Sequence, residues 1–255
     1  MSSWLRDEGS DFFAPKIPSV CGYNFHMRVG AIIAAAGSGR RMKSDRPKQL
    51  LALNGTPIIV HTIRKFDVCS AIDYIIVTAP RESLNEVSHL VKSAGFRKSV
   101  AVVEGGERRQ DSVSMGMNHL QPGTEIIAVH DGVRPFVPVS DIENAVREAE
   151  RSGAAILAVP ILDTVKQAEK DLVQSTLTRE HLVLAQTPQV FRTNILKEAF
   201  ERAAKDEYYG TDESSLVERL GHPIAIVRGS ERNIKITRPS DLTLARAFLE
   251  EETAK

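Results

Sequence analysis

The chain of 255 residues balances 33 Lys and Arg against 33 Asp and Glu, so no global field draws it to nucleic acid or an acidic membrane. With 5% aromatic residues it lacks base-stacking platforms for single strands. Cys21 and Cys69 make no metal or redox spacing and fit a reducing cytoplasm, and no apolar run reaches the roughly 18 residues of a membrane span.

Residues 1–26 mix charges with Gly9, Pro15, Pro18 and Gly22. They read as an irregular leader, poorly ordered or an artefact of the start site, because Met27 immediately precedes the first strand. Trp4, Phe12 and Phe13 could instead dock on the surface, and no basic region leads into an apolar core as in a secretory signal.

Val29 to Ala35 has the length of a buried strand and ends in the small residues Ala34, Ala35, Ala36, Gly37 and Gly39. Arg40, Arg41, Lys43, Arg46 and Lys48 follow, five cations within nine residues. A glycine turn that exposes backbone N–H groups beside clustered cations suits a polyphosphate. It is neither of two familiar phosphate loops. Met42 stands where a dinucleotide fingerprint needs a third Gly or Ala, and no Gly-Lys-Ser/Thr follows. The plain alternative is a solvated basic loop.

Gln49–Leu53 reads as extended, with a turn at Asn54-Gly55 and a helix from Pro57 through Phe66. Strands are expected at 74–79, 100–103, 125–130 and 154–159. Helices are expected at 82–94, closed by Gly95, at 112–120 with Asp111 as a possible cap, and at 141–151 capped by Ser140. This alternation implies an α/β fold, a mostly parallel central sheet with helices on both faces. Ligands then bind beyond the strands' C-terminal ends. Three such ends carry unusual chemistry: Ala34–Lys48, Gly105–Ser112 and His130–Arg134.

Thr164–Ala168 and Leu172–Leu177 break the alternation as a half-polar hairpin turned at Glu169-Lys170-Asp171. A lone hairpin is marginal in water, so this protruding β-arm, about 162–185, is expected to pack against a second copy in a homodimer. The rest of 27–255 reads as one domain. Gln186–Phe191 returns to the core, followed by a helix at 195–205, a helix from about 211 to 220, a strand at 224–227 and a final helix at 241–251 capped by Ser240. His130 and His181 have no partners at metal spacing and read as structural.

The ordered set AAAGSGRRM…PKQ, GGERRQDSV, HDGVRP, DTVK, TPQ, GTDESSLVERLG and RNIKITRP closely resembles the 2-C-methyl-D-erythritol 4-phosphate cytidylyltransferase family of the non-mevalonate isoprenoid pathway, over about residues 28–250. Ribitol-5-phosphate cytidylyltransferases share PKQ, HD-x-x-RP, TPQ and NIK. RRQDSV and TDESSLVERLG look more like the methylerythritol enzymes. A non-catalytic nucleotide-binding homologue is a third reading. The resemblance implies a Rossmann-like nucleotidyltransferase fold, CTP and a methylated polyol phosphate as substrates, magnesium, and a β-arm exchanged between subunits.

The implied reaction is in-line attack of a substrate phosphate oxygen on the α-phosphorus of CTP. A phosphate monoester, with a second pKa of about 6, is already largely dianionic at neutral pH and needs no general base. Catalysis then rests on positioning and charge neutralisation. By resemblance, Arg41 and Lys48 contact the triphosphate, and Lys235 approaches the same reacting phosphate. By composition alone, Lys235 is an edge-strand lysine. Backbone groups of Ala35, Ala36, Gly37 and Gly39 cradle the nucleotide; Gly106, Glu107 and Ser112 match positions that read cytosine. Asp131 holds magnesium through its waters or orients nucleotide and substrate; its plain alternative is a turn aspartate before Gly132. Arg134, Thr164, Arg179 and Thr187 match residues that hold methylerythritol phosphate, with Thr164 and Arg179 reaching the neighbouring subunit's site. Arg40, Lys43 and Arg46 remain solvated surface.

Overall fold

The structure, a computed structural model, describes residues 27–37, 42 and 46–253. In chain order the strands are β1 (Val29–Ala34), β2 (Ala52–Leu53), β3 (Thr56–Pro57), β4 (Tyr74–Ala79), β5 (Val100–Glu104), β6 (Ile126–Asp131), β7 (Ala154–Pro160), β8 (Lys166–Glu169), β9 (Leu172–Thr176), β10 (Val183–Arg192) and β11 (Ala225–Arg228). The helices are α1 (Ile58–Asp67), α2 (Leu84–Ser93), α3 (Arg109–Met117), α4 (Val139–Ser152), α5 (Thr193–Lys205), α6 (Glu213–Glu218) and α7 (Pro239–Thr253).

Seven strands form one sheet in the order β11-β7-β10-β6-β1-β4-β5. β1 pairs in parallel with β4 on one side and β6 on the other, and its residues 31–33 are fully buried. Such strands, covered on both faces, appear in sequence as unbroken apolar runs. The chain leaves β1 toward β4 and β5, then returns to the other side of β1 as β6. That reversal opens a crevice beyond the C-terminal ends of β1 and β6, where open α/β sheets bind ligands. The register sets Ala34 level with both Thr78 and Asp131.

Helices cover both faces, as expected. Residues of α1 and α4, including Ile63, Phe66, Ile142 and Val146, pack with Ile33, Val77 and Ala128 on one face. Val113 of α3, Leu196 and Phe200 of α5 and Leu216 of α6 pack with Ile32, Ile127 and Phe191 on the other. A third cluster joins Met42, Leu53, Ile58, Val133, Phe136 and Ile236 to α7. It draws the segment around Ile236 over the crevice.

Several elements differ from their sequence readings. β10 is a ten-residue strand, antiparallel to both β6 and β7, with a register shift between Ala185 and Gln189 around the cis Thr187–Pro188 bond. The sequence reading gives 186–191, the buried stretch; Val183–Ala185 are half-buried or exposed next to the hairpin and carry no core pattern. α3 begins at Arg109 rather than near Ser112; Asp111 Oδ2 accepts the Arg108 N–H at 3.1 Å, so the polar residues before Ser112 already form the first turn. Ser140 and Ser240 are not caps. α4 and α7 begin earlier, after Pro138 and at Pro239, and proline's fixed φ suits a helix start. β8 and β9 make the anticipated hairpin, turned at Lys170 and Asp171 with φ of 48° and 65°, as a separate two-stranded sheet. Its side chains are exposed, including Leu172 and Val173. Among the described residues no helix is long and apolar enough to cross a membrane.

Candidate active site

The floor of the crevice is built by close backbone approach. A Cβ on Gly105 would lie 2.5 Å from the Ala36 Cβ, and one on Gly132 would lie 2.8 Å from the Ala35 Cβ. Glycine at both positions lets the ends of β5 and β6 close on the segment leaving β1. Ala35 N–H donates to the Thr78 carbonyl at 2.9 Å, which carries the line of β1 one residue onward and leaves Ala36 and Gly37 at the lip. Ala34 to Gly37 line a cavity together with Lys48, Gln49, Arg109, Ser112, Asp131, Val133 and Lys235. The Ser112 hydroxyl, at the first turn of α3, lies within donor distance of the Gly106 carbonyl at 3.2 Å and the Arg108 carbonyl at 3.0 Å. It thereby ties down the loop that follows β5.

Asp131, the last residue of β6, is 5% exposed and is met by three cations. Arg109 Nε donates to Oδ1 at 3.0 Å, while Arg134 Nε at 3.1 Å and Lys235 Nζ at 2.9 Å share Oδ2. Burial alone would push this carboxyl up; Arg109, Lys235 and Arg134 outweigh it and hold the group well below the usual carboxylate range. Arg109 in turn meets Glu213, with Nη1 at 2.7 Å from both carboxylate oxygens. Glu213 is buried with that one cation, and burial wins: its carboxyl is raised. The two carboxylates beside Arg109 move in opposite directions because one has three cationic partners and the other has one.

Lys235 reaches this point through a stitched segment. Ile236 N–H donates to the Val133 carbonyl at 3.0 Å, Arg134 Nη1 donates to the Asn233 carbonyl at 2.6 Å, and Asn233 Nδ2 donates to the Thr187 carbonyl at 2.9 Å. Lys48 Nζ donates to the Ile236 carbonyl at 3.4 Å. The two lysines therefore converge on the crevice from opposite ends of the chain.

Behind Asp131 lies a hydrogen-bonded row with one consistent proton assignment. His130 Nε2 is 3.1 Å from the Arg134 carbonyl, which can only accept, so Nε2 carries the proton. Nδ1 is then bare and accepts from the Thr187 hydroxyl at 3.0 Å, while that hydroxyl accepts the Asp131 N–H at 3.1 Å. Complete burial lowers the His130 pKa to about 3, so the ring stays neutral. It cannot serve as a base facing substrate.

A second cleft shares Arg109, Asp131 and Lys235 with the first and adds Arg134, Gln186, Thr187, Gln189 and Asp212. The Asp131 cluster thus forms a wall common to both. The structure brings together Ala35, Ala36, Gly37, Lys48, Ser112, Asp131 and Lys235 around the first cleft, and Asp131, Arg134 and Thr187 around the second. Gly106 holds the adjoining loop through its carbonyl, and Glu107 is exposed beside it. Thr164 and Arg179 line neither cleft. Both are exposed on the chain that carries the hairpin, where Arg179 donates to the Leu162 carbonyl and pairs with Glu180 at 3.4 Å. Gly39 and Arg41 lie outside the described residues.

Arg109 and Glu213 were the omissions of the sequence reading. Both sit inside quoted motifs, yet their pairing spans 104 residues, and no local spacing signals it. Among the described residues no group of three or more His, Cys, Asp and Glu is arranged to hold a metal ion. Asp131 is a carboxylate that lines both clefts and is held ionised by its three cations.

The sequence profile of the family described as 2-C-methyl-D-erythritol 4-phosphate cytidylyltransferase matches residues 29–251. A protein of that name from Syntrophus aciditrophicus is 46% identical over 230 residues, covering 89% of this chain and 98% of its own. One from Pelotomaculum thermopropionicum is 47% identical over 224 residues, covering 87% and 94%. The crystal structure of the Francisella tularensis 2-C-methyl-D-erythritol 4-phosphate cytidylyltransferase is similar with a TM-score of 0.72 at 35% identity, covering 86% of this chain and 99% of that one. The crystal structure of the Thermus thermophilus enzyme of the same name gives 0.71 at 31% identity, covering 87% and 98%. The chain belongs to the 2-C-methyl-D-erythritol 4-phosphate cytidylyltransferase family, nucleotidyltransferases of isoprenoid precursor synthesis.

Proposed function

We propose that this protein transfers CMP from CTP to the phosphate of 2-C-methyl-D-erythritol 4-phosphate in the crevice around Asp131. A phosphate oxygen of the polyol substrate attacks the α-phosphorus, a new P–O bond forms in line, and the bond to pyrophosphate breaks. The carrying observation is the pairing of Asp131 with Arg109, Arg134 and Lys235. A carboxylate held ionised by three cations is a poor proton acceptor, and His130 is buried, neutral and engaged at both ring nitrogens. The site therefore suits a nucleophile that arrives already anionic, as a phosphate monoester does.

The cavity lined by Ala35, Ala36 and Gly37 takes the nucleotide, with Gly39 completing the cradle and Gly106, Glu107 and Ser112 reading cytosine. Lys48, Lys235 and Arg41 neutralise charge that builds on the α-phosphate and the departing pyrophosphate. The second cleft, with Arg134 and Thr187, takes the polyol phosphate. Thr164 and Arg179 complete it from the exchanged arm of a second subunit in a homodimer. The exposed Leu162, Leu172 and Val173 support that reading, since apolar side chains on and beside an isolated half-polar hairpin gain by being covered. A cytoplasmic location belongs to the same reading.

Magnesium fits as an ion carried mainly by the nucleotide's phosphates. Asp131 has both oxygens engaged by cations, which suits contact through a metal-bound water better than direct ligation. When bound, the ion supplies neutralisation of the triphosphate charge. The test is pyrophosphate release from CTP with methylerythritol phosphate and, in parallel, ribitol 5-phosphate. Release with the first supports the proposal. Release with ribitol phosphate alone overturns the choice of acceptor, and release with neither overturns catalysis.

A further inference from the structure

Three consecutive residues grip the segment that leads into α6. The Arg108 guanidinium stacks 3.7 Å from the Tyr209 ring centroid. Gln110 accepts the Gly210 N–H on Oε1 at 2.9 Å and donates from Nε2 to the Tyr208 carbonyl at 3.2 Å. Between them, Arg109 holds both oxygens of Glu213. The transfer of CMP makes no direct use of this strut.

Stability does not account for it either. A buried carboxylate–guanidinium pair gains little over apolar side chains of the same volume, because desolvation offsets the attraction. What the pair accomplishes is geometric. The guanidinium is a rigid planar fork, so fixing Nη1 on Glu213 leaves Nε one direction, toward Asp131 Oδ1. Glu213 is itself immobilised. Asp212 caps α6 by accepting the Ser215 N–H at 3.0 Å, and it also accepts from Gln189 Nε2 of β10 at 2.7 Å. The row Gln189–Asp212–Glu213–Arg109–Asp131 begins and ends on strands of the central sheet.

Resting on the reading of the Asp131 crevice as the active site, we propose that Glu213 is a positioning residue for nucleotidyl transfer. Through Arg109 it sets the orientation of Asp131, and through Asp131 that of Lys235. A reacting group displaced by about an ångström costs on the order of 100-fold in rate, so a supporting contact of this kind acts on turnover.

The experiment compares Glu213→Gln, Arg109→Met and the double variant by steady-state pyrophosphate release from CTP and methylerythritol phosphate. Glu213→Gln keeps the shape and one acceptor for Nη1 but loses the charge and puts an NH2 donor where the second oxygen stood, which loosens the grip on Arg109. The expected result is a fall in kcat of roughly 10- to 100-fold, with the KM for CTP within about threefold of the parent. Removing a negative charge beside a polyanion site does not by itself weaken CTP binding. Because the two residues act as one unit, the double variant should match Arg109→Met within about twofold. It also removes both charges together, so it stays testable where a lone buried ion prevents folding; there its kcat should lie at or below that of Glu213→Gln, because it also loses the Arg109–Asp131 contact, and a higher kcat overturns the proposal. A kcat for Glu213→Gln within about twofold of the parent, or effects that multiply in the double variant, overturns the proposal. Lys235→Ala serves as the reference. Full turnover in that variant overturns the site reading and the proposal with it, whereas loss there without loss in Glu213→Gln overturns the proposal alone.

Discussion

Lys235 Nζ lies 2.9 Å from Asp131 Oδ2, a contact that aims an ammonium from the far end of the chain into the crevice at the end of β6. The Asp131 backbone is fixed by the sheet and its side chain by Arg109 and Arg134, so Lys235 inherits a defined position despite being 36% exposed. A cation held in advance of charge development lowers the barrier without reorganising during the reaction. Lys235→Ala and Lys48→Ala should each lower kcat by about 100- to 1000-fold while changing the KM for CTP much less. Steady-state kinetics checks this. A rise in the KM for CTP with kcat unchanged would assign the lysines to uniform binding.

Asp131→Asn removes the carboxylate that Arg109, Arg134 and Lys235 share, leaving Glu213 as the acidic partner of Arg109. Leaving paired buried ions without their partner costs about 3 kcal/mol, here as mutual repulsion among cations. The melting temperature should fall. Added CTP restores negative charge, so the thermal shift on adding it should be larger in the variant than in the parent protein. A smaller shift would mean that Asp131 is needed to hold nucleotide rather than to balance the cations.

His130 gives stability a pH dependence of known sign. Its ordinary pKa is 6.5, and burial lowers it to about 3 in the fold. The unfolded chain therefore takes up a proton first as pH falls. The contribution is fully present above 6.5 and is lost progressively as pH falls toward about 3. Between pH 7 and pH 5 this one group should account for about 2 kcal/mol of lost stability. Urea unfolding at the two pH values checks it, with His130→Gln as the comparison that lacks a titrating ring. An unchanged slope in that variant would show the imidazole to be solvated.

Arg179 lies on the arm, outside both clefts of its own chain. If it serves a second subunit, Arg179→Ala should raise the KM for the polyol phosphate about tenfold or more, the scale of a charge-assisted phosphate contact, with CTP binding intact. Mixed dimers, one subunit carrying Arg179→Ala and the other Lys48→Ala, should then recover one functional site. No recovery would place Arg179 in the site of its own chain or in none.

The elements legible in the sequence are those whose cause is local. Val29–Ala34 and Tyr74–Ala79 are legible as strands because both faces are buried, and Asp131 with Arg134 is legible as chemistry because they stand three positions apart at a strand end. Small residues after β1 announce close approach of something to the backbone. Nothing local announces that Arg109 meets Asp131 and Glu213, 22 and 104 residues away, or that β10 inserts antiparallel between β6 and β7. A strand's composition states that it will be buried, not which neighbour it will pair with, and register depends on faces that meet only when the sheet forms. The opening loop was readable as a place for phosphate from its own residues. The electrostatic state of Asp131, and so the kind of chemistry that place can support, exists only once four distant segments have been folded against one another.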